Sequence, residues 1–224
     1  MESTAEIMES QEGAAVSLNT QWVLRWMDGC ARVLEQNREM LGNLDDVIGD
    51  GDHGENISRG FSAVDQRLSG IVVESPKQAL RVAANTLLAA VGGASGSLYG
   101  TAFLRAARSV NVESLESQDV AMLLVKAAEG IAQRGGAQPG DKTMLDVWYP
   151  AATNAAAAVA KGADPAEVLR VAADAAAKGA EDTVSMSAVK GRASLLGERS
   201  IGHKDPGAAS SALILDQAAK AAGL

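Results

Sequence analysis

The 224 residues carry 28 acidic against 20 basic side chains, a formal net charge of −8, which excludes nonspecific binding to nucleic acid or an anionic membrane. Hydrophobic residues make up 47% of the chain but aromatics only 3%, so alanine and the branched aliphatics must supply most of a soluble, globular core. A single cysteine, Cys30, rules out an internal disulfide, and with neither an apolar leader nor a run of membrane-spanning length the expected setting is cytoplasmic.

Residues 1–17 are polar and acidic without periodicity and read as a flexible tail ahead of one domain, 18–224. From Asn19 to Leu41, Val23, Trp26, Met27, Cys30, Val33, Leu34 and Leu41 recur at helical spacing. An acidic, glycine-rich loop over 44–54 follows, and a second helix runs from His53 to about Leu68, with Ile57, Phe61 and Val64 on one face. Ser75-Pro76 starts a third helix, which reaches about Ala90. The run Val91 to Ser97 breaks the pattern, and a fourth helix covers Leu98 to Val110. Ser117 caps a fifth, ending near Arg134, and Gly135 to Gly140 is the next break. A sixth helix spans Asp141 to Lys161 with a kink expected at Pro150, and Asp164-Pro165-Ala166-Glu167 opens a seventh, to about Ser185. The irregular stretch 190–205 precedes an eighth helix over Gly207 to Ala222.

Eight helices with short connections, and no sustained period-2 alternation, predict an all-α, antiparallel up-and-down bundle or barrel. Alternate loops of such a bundle share an end. The loops at 44–54, 91–97, 135–140 and 190–206 follow the first, third, fifth and seventh helices, so all four should gather at one end and form a single site.

Asp45, Asp46, Asp50 and Asp52 crowd one turn, and clustered carboxylates repel unless a cation lies among them. Hard oxygen donors without cysteine favour Mg²⁺, which is commonly held by a few carboxylates together with ligand phosphates. An EF-hand starting at Asp50 fails, because Gly54, Glu55 and Phe61 would stand at its fifth, sixth and twelfth positions. Gly92 to Ser97 precedes a helix, and either binds an anion at that helix start or serves close helix packing. A Walker A reading of Gly135 to Thr143 fails by one residue, since Asp141 stands between Gly140 and Lys142-Thr143. Lys190, Arg192, Arg199, His203 and Lys204 form the basic counterpart to the acidic loop, either a solvated charge run or an ordered lid or ligand loop. No nucleophilic triad is suggested.

Taken together, the motifs Ile48 to Asn56, Gly92 to Gly96, Pro139 to Met144, and Gly191 to Ser194 with its continuation to Gly207 resemble the nucleotide-binding L subunits of dihydroxyacetone kinase. The likeness extends over nearly the whole chain after residue 17. It implies an eight-helix antiparallel barrel with a nucleotide, ADP or ATP, bound at one end. Under this resemblance Asp45, Asp50 and Asp52 hold two Mg²⁺ ions, and His53, Gly54, Glu55 and Asn56 line the phosphate site. Ala94 and Ser95 offer further contacts, and Gly135, Met144, Arg192, Asp205, Pro206 and Gly207 surround the base, ribose or phosphates. Asp46 takes no role.

The resemblance further implies phosphoryl transfer to dihydroxyacetone held on a separate K subunit, with no covalent nucleophile in this chain. In the phosphoenolpyruvate-linked form ADP stays bound and is rephosphorylated by a phosphocarrier, M-type subunit. An ATP-dependent ketose kinase with exchangeable nucleotide and a non-catalytic nucleotide-sensing adaptor are the alternatives. A homodimer is expected.

Overall fold

Asn19 starts the first helix by accepting the backbone amides of Gln21 and Trp22 on its side chain. In the computed structural model, which describes residues 17–223, nine α-helices follow in order. They are α1 (Thr20–Gln36), α2 (Arg38–Ile48), α3 (His53–Ser69), α4 (Pro76–Ala90), α5 (Gly93–Ser109), α6 (Ser117–Gly135), α7 (Leu145–Ala160), α8 (Pro165–Asp182) and α9 (Pro206–Ala221). Two 3₁₀ segments, Thr183–Ser185 and Arg192–Ser200, lie between α8 and α9. No strand forms among the described residues, only an isolated bridge between Asn19 and Ser114. The N-terminal segment expected to be a tail lies outside the described residues but for Ser17, whose hydroxyl pairs with that of Ser114 at 2.8 Å.

The chain is all-α, and its long helices close a ring. α1 packs on α3, each helix from α3 to α8 packs on the next, and α9 returns to α1. Trp22 donates its indole N–H to the Ala218 carbonyl and Trp26 donates to that of Ile214, so α1 and α9 run antiparallel. Those eight helices are the predicted barrel.

A ninth helix arises because the segment expected as one helix over 19–41 breaks at Asn37. There the side-chain amide donates to the Val33 carbonyl at 2.8 Å, and the backbone N–H donates to the same oxygen at 3.1 Å. An asparagine that competes with the backbone in this way ends a helix. The helix resumes as α2 and turns Leu41, Asp45 and Ile48 inward, a spacing of four and seven residues that marks one face. Asp45 and Asp46 are therefore helical, not part of the loop. Gly54, on α3, lies so close to α2 that a Cβ there would overlap the Arg38 carbonyl oxygen.

The run 93–97, expected as a loop, is the first turn of α5. Within it Gly96 is packed against the end of α4. A Cβ at Gly96 would overlap the carbonyl oxygen of Val91. Sequence reasoning treats Gly and Ser as breakers, whereas here tertiary packing outweighs propensity. α7, for its part, starts at Leu145 and not Asp141, since residues 141–144 form a turn, and it continues through Pro150 without interruption.

Although aromatics are few, all of them but the exposed Tyr149 are buried within the ring. Trp22 stacks on Trp26 at 5.2 Å, Trp26 meets Phe103 at 5.4 Å, and Phe61 sits edge-on to both Phe103 and Tyr99. Alanines of α4, α6, α7, α8 and α9 let the helices close around that centre. No helix among the described residues is long and apolar enough to cross a membrane.

Candidate functional site

The loops between α2 and α3, α6 and α7, and α8 and α9, with the first turn of α5, surround one cavity of about 270 Å³. Antiparallel alternation brings them there, and the connections at the far end meet one another instead. At that end Leu115 donates its amide to the Leu18 carbonyl, and the Ser117 hydroxyl donates to that of Ala163.

Asp45 reaches the cavity from α2, Asp50 from the loop, and Asp52 from the N-cap of α3. One carboxylate oxygen of each lies within 4.8 Å of the others. Asp45 is buried while Asp50 and Asp52 are exposed. Asp52 makes no side-chain capping bond, and it is Asp45 Oδ2 that accepts the His53 amide, at 3.1 Å. The loop can wrap its acids because Gly51 adopts φ +77°, and a Cβ there would overlap Asp46 Oδ1. Burial pushes the Asp45 carboxyl above its ordinary range, with Asp52 adding to the rise and the His53 amide opposing it. Arg192 forms an ion pair with Asp50 across the cavity.

His53 lies on the floor. Its Nε2 shares a hydrogen bond with the Ser210 hydroxyl at 2.8 Å, and burial lowers its pKa to about 4, so it stands neutral. Beneath it the Tyr99 hydroxyl meets the hydroxyls of Ser210 (2.7 Å) and Ser211 (2.8 Å) and donates to the Gly207 carbonyl at 3.2 Å. The Trp148 indole donates to Ser211 at 3.0 Å. This buried network joins α3, α5 and α7 to the start of α9. Sequence reading missed it, although adjacent serines in an otherwise apolar helix are a signal that buried hydroxyls need partners.

Of the residues singled out by resemblance, Asp45, Asp50, Asp52, His53, Ala94, Ser95, Met144, Arg192, Asp205, Pro206 and Gly207 line the cavity. Gly54, Glu55, Asn56 and Gly135 stand behind it. Glu55 pairs with Arg38 at 2.9 Å, Asn56 accepts from Arg59 at 2.6 Å, and Gly135 closes α6 against Leu98 of the cavity wall.

Lys142 and Thr143 belong to the wall and were not anticipated. Lys142 is only 1% exposed, and its ammonium donates to the carbonyls of Thr183 and His203. Asp146 organises the same turn by accepting the amides of Gly140 and Thr143. Asp205 caps α9 by accepting the Ala208 amide at 2.7 Å. Burial pushes its carboxyl up to about 7, against the pull of that amide and of Lys142. Desolvation in turn draws the Lys142 ammonium below the usual lysine range.

A cavity with oxygen donors at one side, the starts of α3, α5 and α9, and an arginine suits a divalent cation together with an anionic ligand. The chain is similar to several known proteins. The DAK2 domain model matches residues 47–220. The chain is 40% identical to the ADP-binding subunit DhaL of PEP-dependent dihydroxyacetone kinase from Escherichia coli, over 92% of this chain and 99% of that protein. It is 36% identical to the ADP-binding subunit DhaL of the PTS-dependent enzyme of Lactococcus lactis, over 86% and 93% of the two chains. L-erythrulose 1-kinase of Mycolicibacterium smegmatis is 33% identical over 93% of this chain, which spans only 36% of that protein. The crystal structure of the C. freundii dihydroxyacetone kinase superposes with a TM-score of 0.68 at 25% identity, covering 94% of this chain and 37% of that one.

Proposed function

This chain belongs to the DAK2-domain family, and from that membership we propose that it is the nucleotide-binding subunit of a dihydroxyacetone kinase, linked to phosphoenolpyruvate and keeping ADP as a bound cofactor. The observation that carries the reading is the convergence of Asp45, Asp50 and Asp52 with Arg192 and the starts of α5 and α9 on one cavity.

The donor set fits the metal. Three carboxylates within 4.8 Å, with no sulfur or imidazole among them, suit hard Mg²⁺ and leave coordination positions for phosphate oxygens. Asp45, Asp50 and Asp52 hold two such ions, whose chemistry is to offset charge on the nucleotide phosphates. Arg192, paired with Asp50 in this structure, would be the residue to meet a nucleotide phosphate. The His53 amide is taken by Asp45, but the next first-turn amides of α3, at Gly54 and Glu55, have no carbonyl four residues back within the helix, which favours an anion at that end, and Asn56 supports the same turn. Neutral His53 tethers α3 to Ser210 and keeps the floor in register. Ala94 and Ser95 give amide and hydroxyl contacts, while Met144, Asp205, Pro206 and Gly207 enclose the base and ribose and Gly135 backs that wall through Leu98. The chain supplies position and charge compensation, and no nucleophile.

Dihydroxyacetone sits on a partner K subunit, an M-type phosphocarrier recharges the nucleotide, and the assembly is a cytoplasmic one containing a homodimer of this chain. A second reading, an ATP-dependent ketose kinase, draws on the similarity to the L-erythrulose 1-kinase. A pure nucleotide-sensing adaptor would not need all three acids.

The test is the bound nucleotide. ADP that co-purifies and leaves only on chelation supports the cofactor reading, and rapid exchange with free ATP moves the assignment to the second. Asp50→Ala should abolish Mg²⁺-dependent ADP binding with the helical circular dichroism unchanged. Intact binding in that variant would overturn the metal assignment.

A further inference from the structure

Lys142 stands in the left-handed region at φ +60°, the one non-glycine residue with positive φ among those described. Glycine would adopt that conformation at least cost, so a lysine there points to a task for its side chain. The task is visible in its partners. The ammonium donates to the carbonyl of Thr183, which follows α8, and to that of His203, which precedes α9. Thr183 and His203 are the two ends of the segment between those helices. The ends also bond each other. Gly202 donates its amide to the Val184 carbonyl at 2.7 Å, and Asp205 donates to the Thr183 hydroxyl at 3.0 Å. Farther along, Val189 donates to the carbonyl of Asp141, the neighbour of Lys142, at 3.1 Å. The segment is thus a long loop closed at its neck and packed against α2. Ala188 and Ala193 bury together against Ile48 of α2.

Two cavity residues depend on how this loop is held. Arg192 lies in its arm and meets Asp50, and Asp205 stands at its exit, capping α9. We propose that Lys142 is a positioning residue, one whose ammonium pins the neck of the 183–205 loop and thereby sets where Arg192 and Asp205 face the cavity. It acts through the loop, not on the ligand, and its bearing on nucleotide rests on the function proposed above.

Amide hydrogen exchange on the metal-free protein, paired with Mg²⁺·ADP titration, tests the assignment. In the wild type, the neck amides of Gly202 and Asp205 should exchange at least about tenfold more slowly than that of Ser194 in the arm, since opening the neck breaks several bonds at once. Equal rates would overturn the proposal without any variant. Lys142→Met, which keeps the length and removes the ammonium, should speed exchange at Gly202, Asp205 and Val189 by about ten- to a hundredfold, as expected for loss of charge-assisted bonds. Exchange in α1 should stay unchanged and Mg²⁺·ADP affinity should fall about tenfold. Lys142→Gly relieves the backbone and should loosen the neck just as much, and it serves if the methionine variant does not fold. Neck exchange within twofold of wild type in either variant overturns the proposal. Failure of the wild type to bind Mg²⁺·ADP would refute the proposed function while the exchange result still decides the role of Lys142. A loosened neck with unchanged ADP affinity would overturn the positioning role.

Discussion

Replacing Asp52 with asparagine should make the metal-free protein more stable and its metal-loaded form less so. Asp52 and Asp45 bring carboxylate oxygens within 4.8 Å. Two unit charges at that distance repel by about 1 kcal/mol at the dielectric of water, and by about 3 kcal/mol at an effective value of 20. Asp52 is exposed, so the lower figure applies. Against it stands the attraction between an acid at the N-cap and the α3 dipole, roughly 0.3–1 kcal/mol. No capping hydrogen bond is lost, because Asp52 makes none with its side chain. The balance runs from about zero to a gain of about 0.6 kcal/mol in EDTA, or a rise in Tm of up to about 2 °C for a domain of this size. With Mg²⁺ the sign reverses. Wild type gains stability as the ion binds the native state, and the variant, short of one ligand, gains little. Thermal unfolding in EDTA and across a Mg²⁺ series measures both arms. An Asp52→Asn protein that melts below wild type in EDTA, or that keeps the full Mg²⁺-dependent rise, would refute the reasoning.

Tyr99→Phe removes a hydroxyl bonded to Ser210, Ser211 and Gly207, and should cost about 1–2 kcal/mol in urea unfolding, since Ser210 and Ser211 keep other partners. Gly54→Ala drives a methyl group into the Arg38 carbonyl where α2 and α3 touch, and should cost at least about 1–3 kcal/mol and lower Mg²⁺ affinity by shifting Asp45. For His53 the pKa is about 4 in the folded state against an ordinary value of 6.5. The unfolded chain then binds the proton first as pH falls, so the benefit of a neutral His53 is complete above pH 6.5 and lost on the way down to about 4. Unfolding of metal-free wild type and His53→Gln across that range should therefore converge or cross, with wild type losing up to about 3 kcal/mol relative to the variant. A constant difference would contradict the burial of a neutral imidazole.

The all-α class, the eight-helix ring and the end at which the loops meet were legible because they follow from local rules. Apolar spacing, the Ser75-Pro76 and Asp164-Pro165 starts and the glycine breaks are properties of a few neighbouring residues, and alternation of direction does the rest. The acids were legible in part: spacing marks Asp45, Asp46, Asp50 and Asp52 as one cluster, but it was the resemblance, not spacing, that set Asp46 aside from the three that converge. What local rules could not reach was anything set by contact between distant segments. The break at Asn37 turns on one side-chain amide bonding back to Val33, and it places Asp45 on the buried face of a helix where a loop was expected. Gly93 to Ser97 is helical although it reads as a break, and Gly96 fits there only because it lacks a Cβ that would meet Val91. Lys142 reads as half of a failed phosphate motif, yet it is buried on carbonyls 41 and 61 residues away, and Ser210 meets His53 across 157. Hydrogen bonds over such separations have no periodicity to betray them. The sequence by itself settled which residues carry charge and, apart from the break at Asn37 and the starts of α5 and α7, where helices run. Only the tertiary structure decided which of those charges are dry, which are paired, and which hold the site in place, because desolvation and pairing arise when the ring closes.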